Sequence, residues 1–302
     1  MNNLARAFAL LAVAAAPAAP AAAQDTKLVV LGTGTPNADP ERSGPALAVV
    51  RGERSYLVDA GPGVVRRANA AAARHGLTAL TPPQLRTVFL THLHSDHTLG
   101  LPDVIFSGWT LERDVPLVVY GPPGTKAMVD HLHAAYAADI RNRLDGAEPA
   151  NADGWKVTVH EIEPGVVLDD GNLRVTAFAV PHGDWEVAFG YRFDAPDRSI
   201  VISGDTRASD AVVAACNGCD LLAHEVYSAV QFRTRPPEWQ QYHARAHTST
   251  DELAAIAQRA RPAALLLYHQ LYWGTDDAGL VAELRSAGWR GALESARDLG
   301  VY

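Results

Sequence analysis

Thr91-His92-Leu93-His94-Ser95-Asp96-His97 follows directly on the apolar run Val88-Phe89-Leu90. Its last six residues hold three histidines and one carboxylate. Imidazole nitrogen and carboxylate oxygen are ligands of borderline metals such as zinc. If the apolar run is a strand, His92 and His94 point the same way, because side chains two apart share a face. Asp96 and His97 then fall in the following loop and face a second point close by. The segment reads as two half-built metal sites side by side. The alternative is a polar loop of solvated histidines, which leaves the matching residues further along unexplained.

Those residues sit at repeating addresses. His182 follows the apolar segment 173–180, Asp205 follows Ser199-Ile200-Val201-Ile202-Ser203-Gly204, and His269 follows Ala264-Leu265-Leu266-Leu267-Tyr268. Each comes where a buried strand meets a loop, and sites in layered folds gather at such ends. One such residue alone reads as an ordinary loop residue. Together with the first cluster they read as converging ligands. One zinc takes His92, His94 and His182; the other takes Asp96, His97 and His269; Asp205 bridges both. A water or hydroxide fills the shared position, so each site is open and suited to catalysis. Two such metals acidify that water and clamp the attacking and leaving oxygens. Two Zn²⁺, two carboxylates and a hydroxide leave about +1 at the centre, which favours a monoanionic ester. Manganese or iron also suits this donor set.

The chain as a whole fits that reading. Of 302 residues, 48% are hydrophobic and 20% charged, as in a globular protein. Residues 1–23 have the form of a secretory signal peptide: a charged start with Arg6, an Ala/Leu/Val-rich run, then Ala21-Ala22-Ala23 before Gln24. Cleavage near Ala23 leaves residues 24–302 as one hydrolase domain that is periplasmic or secreted. It removes only Arg6 among the charged residues, so the net charge moves from −8 to about −9. No Lys/Arg-rich run is visible, which argues against a nucleic-acid partner and for a small anionic ester. No further apolar span crosses a membrane; a homo-oligomer stays open. Cys216 and Cys219 read as two buried thiols, or as a short-range disulfide if the compartment is oxidising.

Strands are expected over 27–31, 46–51, 55–58, 87–90, 116–120, 155–162, 173–180, 187–193, 199–203, 220–223, 263–268 and 292–294. Helices are expected over 63–74, 98–106, 126–138, 208–215, 249–261 and 276–287. Segment 142–154 reads as a polar excursion. Strands outnumber helices about two to one, a pattern of two mixed sheets with helices outside (α+β).

The motif His92-x-His94-x-Asp96-His97 resembles that of metallo-β-lactamase-fold hydrolases. More of the chain resembles their ribonuclease Z and arylsulfatase-like branch: Gly32-Thr33-Gly34-Thr35-Pro36, Val58-Asp59-Ala60-Gly61-Pro62-Gly63, Gly204-Asp205-Thr206, His224-Glu225 and Ala246-His247-Thr248-Ser249-Thr250. The resemblance implies a four-layer αββα sandwich. It also implies catalytic roles for Asp96, for His247 beside the metals, and for Glu225 as the carboxylate that orients His247. His75, His131, His133, His160, His224 and His243 are left as structural or surface residues. Two departures count against transfer-RNA 3′ processing. The interval after the first cluster lacks a long Gly-rich basic arm, and His224-Glu225-Val226-Tyr227 replaces the His-Glu-Ala-Thr form.

Trp109, Phe232, Trp239, Tyr242, Tyr268, Tyr272 and Trp273 lie near metal-bearing segments and are candidates for an apolar wall, with Arg233 and Arg235 as basic neighbours. The functional expectation is a dizinc hydrolase of a phosphodiester or aryl sulfate, with a metal-bridging hydroxide as nucleophile. The alternatives are hydrolysis of a neutral ester, lactone or lactam; transfer-RNA processing; and a metal-dependent binder without turnover.

Overall fold

The computed structural model describes residues 25–302, and the expected leader over 1–23 lies outside the described residues. The strands are β1 (Lys27–Gly32), β2 (Ala46–Arg51), β3 (Arg54–Val58), β4 (Thr87–Phe89), β5 (Leu117–Gly121), β6 (Val157–Glu161), β7 (Gly165–Asp169), β8 (Arg174–Ala179), β9 (Phe189–Asp194), β10 (Ser199–Ile202), β11 (Leu221–Tyr227), β12 (Ala264–Leu271) and β13 (Ala292–Ser295). The helices are α1 (Val64–His75), α2 (Ser95–Thr98), α3 (Leu101–Thr110), α4 (Thr125–Ala135), α5 (Ala137–Asp145), α6 (Asp210–Cys216), α7 (Ala229–Phe232), α8 (Pro237–Ala246), α9 (Thr250–Ala260) and α10 (Asp277–Ser286).

Two mixed sheets form, in the orders β1-β2-β3-β4-β5-β6 and β13-β12-β11-β10-β9-β8-β7. In each, an antiparallel meander joins a parallel set. The side-chain period of 2 explains the layering. Along β1, Leu28 and Val30 face the space between the sheets, while Val29 and Leu31 face α1 and α3. Along β12, Leu266 and Tyr268 face inward, while Leu265 and Leu267 pack under α9 and α10. Strands covered on both faces need unbroken apolar runs, which is how these segments read. The result is the expected αββα sandwich.

Several elements depart from expectation. β7 is a short, largely exposed edge strand that the sequence reading did not include. α5 occupies the first part of the polar excursion, α7 and α8 fill 229–246, and the helix expected over 98–106 splits into α2 and α3. Cys216 and Cys219 form a disulfide that closes the turn between α6 and β11, so the reading as two buried thiols is corrected.

The excursion is tied down by Arg113, which is fully buried. Its guanidinium donates to the carbonyls of Leu85, Val104, Ile105 and Gly154 at 3.2, 2.8, 2.7 and 2.8 Å. It fits because Gly108 has no side chain; a Cβ there would lie 2.2 Å from Arg113 Nη1. Burial lowers the Arg113 pKa to about 10. Replacing Arg113 by Met strands the four carbonyls, and we expect a loss of about 3 kcal/mol, read by urea denaturation. A change under about 0.5 kcal/mol contradicts this assignment.

Candidate metal centre

The centre lies at the loop ends of the two parallel strand sets. His92 and His94 occupy the loop after β4, Asp96 and His97 the single turn of α2, His182 the loop after β8, and Asp205 the loop after β10. The strand ends at Phe89, so alternation along a strand is not what aligns His92 with His94. The loop itself brings them together.

His269 is also placed differently from expectation. It lies inside β12, at a register shift where Glu225 pairs with Tyr268 and Val226 with Gln270. His269 is the extra residue of a β-bulge, with φ at 48°. Bulges re-aim side chains, and this one turns a core-strand residue toward the centre.

All seven expected ligands converge. His94 Nδ1 lies 2.9 Å from His92 Nε2 and 3.1 Å from His182 Nε2. The Nε2 atoms of His97 and His269 lie 3.5 and 3.4 Å from Asp96 Oδ2, and each is 3.4 Å from Asp205 Oδ2. Asp205 also groups with His92 and His97 and with His182 and His247, so it stands between the two triads. Gly204 makes this approach possible: its φ is 62°, and a Cβ would lie 2.4 Å from the Phe189 carbonyl.

A surrounding set of acceptors fixes which ring nitrogen faces inward. His97 Nδ1 donates to Asp59 Oδ2 at 2.8 Å, and His182 Nδ1 donates to the Ala246 carbonyl at 2.7 Å. His92 Nδ1 meets Thr91 Oγ1 at 2.9 Å, and that hydroxyl passes its own proton to Asp59. Each bond turns Nε2 toward the centre. Asp59 was legible only as part of a motif; its role in aiming two histidines was not.

Charge distribution differs between the triads. Burial holds His92 well below its ordinary range and lowers His94 and His182 to about 4, so these rings are neutral at pH 7. Burial opposes charge on His97 and His269 too, but Asp205, with Asp59 for His97 and Asp96 for His269, outweighs it and raises both. Burial likewise opposes charge on Asp205, yet His269 and His97 hold it well below the carboxylate range. The buried Oδ1 of Asp205 and Nε2 of His97 have no hydrogen-bond partner among the described residues. Such a donor set fits two divalent cations, one on three imidazoles and one on two imidazoles with a carboxylate.

Beside the centre, His247 Nδ1 lies 3.3 Å from Glu225 Oε1. That carboxylate sits within β11, not at its end, and accepts from Thr206 N and Thr248 N at 3.2 and 3.0 Å. The centre opens into a cavity of about 630 Å³ whose wall includes Arg235, Trp239, Tyr242, His243 and Trp273. His243, first left among the structural histidines, thus belongs to the site. Trp109, Tyr268, Tyr272, Phe232 and Arg233 do not line it. Trp109 is buried and donates to the Asn151 carbonyl, Tyr268 is core, and Tyr272 binds Asp277. Phe232 stacks on Tyr227, and Arg233 is exposed outside the cavity.

A family model described as "Beta-lactamase superfamily domain" matches residues 54–270. The chain belongs to the metallo-β-lactamase superfamily. It is a hydrolase of that superfamily and is 34% identical to a protein named ribonuclease Z from Mycobacterium sp. (strain KMS), over 81% of this chain and 84% of that one. Among solved structures, the metallo-β-lactamase fold protein YhfI from Bacillus subtilis superposes with a TM-score of 0.70 at 19% identity, covering 92% of this chain and 98% of the other. Human tRNase Z, short form, gives 0.66 at 22%, covering 91% and 98%. These two likenesses carry the superfamily fold.

The unequal charge of the triads has a measurable consequence. The neutral triad binds a cation without losing protons, whereas His97 and His269 must each release one. Calorimetric zinc titration of chelator-treated protein, repeated in buffers of different ionisation enthalpy, is expected to show one event without proton release and one releasing up to about two protons. For the chelated protein the sign is opposite to that of zinc affinity. Raised histidines stabilise fully below pH 6.5, their unfolded value, and that contribution is lost as pH rises through their folded pKa. Zinc affinity at the second triad therefore rises with pH while chelated stability falls; two proton-silent events refute the assignment.

Trp185 supplies a second readout. Its Nε1–H donates to His94 Nε2 at 2.9 Å, which places the His94 proton on Nδ1. A cation on Nδ1 shifts that proton to Nε2, where it opposes the indole donor. Zinc addition should therefore move Trp185 and change tryptophan fluorescence, and Trp185→Phe should still bind zinc with most of that change missing. An unaltered zinc response in Trp185→Phe contradicts the displacement.

Proposed function

We propose that this protein is a dinuclear metal hydrolase of anionic esters, phosphodiester or aryl sulfate. The observation that carries the reading is the meeting of two ligand triads around Asp205 at the floor of an open cavity. Two divalent cations, zinc foremost, would be held by His92, His94 and His182 and by Asp96, His97 and His269, and would supply an acidified water and positive charge for the ester oxygens. A singly charged ester gains more from that charge than a neutral ester, lactone or lactam does.

The chain's own groups do the rest. Asp205 holds the triads together, and Asp59 and the Ala246 carbonyl keep three imidazoles in ligand form. His247 presents its second nitrogen to the cavity, since Nδ1 faces Glu225. Burial lowers His247 to about 4 and holds the Glu225 carboxyl well above its usual range, with Asp205 adding to the second shift. The pair therefore stays uncharged until negative charge develops on a departing oxygen, which His247 is placed to receive.

A ribonuclease reading has one observation in its favour, the 34% identity to a protein named ribonuclease Z. Against it, residues 125–156 form α4, α5 and a loop that Arg113 holds at Gly154, and this segment carries no Lys/Arg-rich run. The leader and the Cys216–Cys219 disulfide support a place in an oxidising compartment outside the cytoplasm.

The test is metal analysis of the purified protein with chromogenic phosphodiester, aryl sulfate and lactam substrates and a precursor transfer RNA. Asp96→Ala and His269→Ala are expected to lose at least about 10³-fold in kcat with the fold kept. His247→Ala should lose about 10²- to 10³-fold with metal content intact, and Glu225→Gln less. Unchanged turnover in Asp96→Ala or His269→Ala refutes the mechanism, and cleavage of the RNA alone selects the second reading.

A further inference from the structure

The cavity on which the centre opens is not alone. The 630 Å³ cavity meets a second one, of about 470 Å³, at Pro36, Asn37 and Asp96. The two differ in chemistry. The first has Trp239, Tyr242, His243 and Trp273 on its wall. Trp239 and Tyr242 leave 47% and 40% of their surface exposed, and their rings stand edge to face at 5.9 Å. His243 packs between Trp239 and Trp273, at 5.7 and 4.5 Å between ring centroids. Large rings held open beside a reactive centre are suited to stack on a flat group. Arg235 lies over Trp273 at 5.4 Å, and its buried Nε has no hydrogen-bond partner among the described residues. The second cavity is walled by the 35–44 loop, with Thr35, Asn37, Asp39, Arg42, Ser43 and Ser95 among its polar side chains and Leu99 also lining it.

We propose that the substrate is a phosphodiester with two unlike arms, a planar aromatic one stacked in the Trp239–Tyr242–Trp273 cavity and a hydroxylated one in the cavity of the 35–44 loop. This rests on the reading of the centre as an anionic-ester hydrolase and chooses among its substrates. A sulfate ester carries one organic arm and leaves one cavity filled with water. A diester has a central tetrahedral anion with an arm to each side, matching a centre that opens into one cavity and reaches a second at Asp96. Because His247 lines the aromatic cavity, the aromatic arm is the one that departs. Water oxygen bonds to phosphorus, the bond from phosphorus to the aryl oxygen breaks, one water proton ends on the aryl oxygen, and the other stays on the new phosphate monoester. Arg235 is placed to meet an acceptor group on the far edge of the aromatic ring.

The test uses the zinc-loaded protein with three probes: 4-nitrophenyl sulfate, methyl 4-nitrophenyl phosphate and thymidine 5′-(4-nitrophenyl) phosphate. The expected order of kcat/KM is sulfate lowest and thymidine ester highest, with the thymidine ester ahead of the methyl ester by about tenfold. Trp239→Ala should raise KM for both diesters by about tenfold, more than it lowers kcat. Ala38→Trp, on the exposed 35–44 loop, fills the second cavity and should bring the thymidine ester down to the methyl ester. Equal rates for the two diesters, a sulfate rate matching them, or an unmoved KM in Trp239→Ala overturns the two-cavity assignment while the hydrolase reading stands. A metal-replete protein inert toward all three probes overturns the hydrolase reading itself.

Discussion

Asp205 is a carboxylate with only 2% of its surface exposed, and a buried carboxylate needs positive charge close by. That requirement organises the rest of the centre. His97 and His269 both reach Asp205 Oδ2 at 3.4 Å, and their protons supply the charge when no cation does. A divalent cation does the same with more charge in less space. The site is therefore electrostatically satisfied in two ways, by two protons or by a metal, and pH decides between them. A cluster satisfied in only one way would fold only with metal present or would never accept it.

Holding six imidazoles around that point requires the surrounding structure to control their far sides. Asp59 controls two rings, one directly and one through Thr91. The Ala246 carbonyl controls a third, and this links the loop after β8 to the end of α8. The backbone bends to meet these demands. Asp59 has φ at 63° and His269 at 48°, both in the left-handed region that side chains with a Cβ avoid. Strain of this kind, of order 1–3 kcal/mol per residue, persists only where the surroundings impose it. Here the imposing elements are the parallel strands of both sheets, whose ends converge on one loop region.

Much of this was legible in the sequence, because the metal donors stand in an uncommon spacing. His92, His94, Asp96 and His97 announced themselves, and the addresses of His182 and Asp205 followed from the apolar runs before them. The rest was hidden for identifiable reasons. His269 was expected beyond its strand because a one-residue bulge leaves no mark in hydrophobic periodicity. α8 was missed because its only buried residues are His243 and Ala246, so no apolar stripe recurs every 3.6 residues. Its start at Pro237 was a usable sign, since proline is favoured in a helix's first turn. Trp185 carried no signal, as a lone aromatic in a polar loop reads as surface. Trp109 misled in the other direction: proximity in sequence to the histidine cluster placed it at the site, while the fold uses it to anchor the excursion.

The same division explains why family membership settles the chemistry more firmly than the substrate. Most of the ligands lie on loops at the strand ends, with His269 on a bulge of β12 and Glu225 within β11. Discrimination among substrates has to come from walls, because a ligand set does not by itself select the organic groups beside it. The walls here are mainly α8, the neighbouring Arg235 and Trp273 and the 35–44 loop, none of them part of a sheet. They can change without disturbing the cores that set the fold. An α8 whose aromatic side chains face the cavity, beside the polar 35–44 loop, is a local feature laid on the superfamily's scaffold.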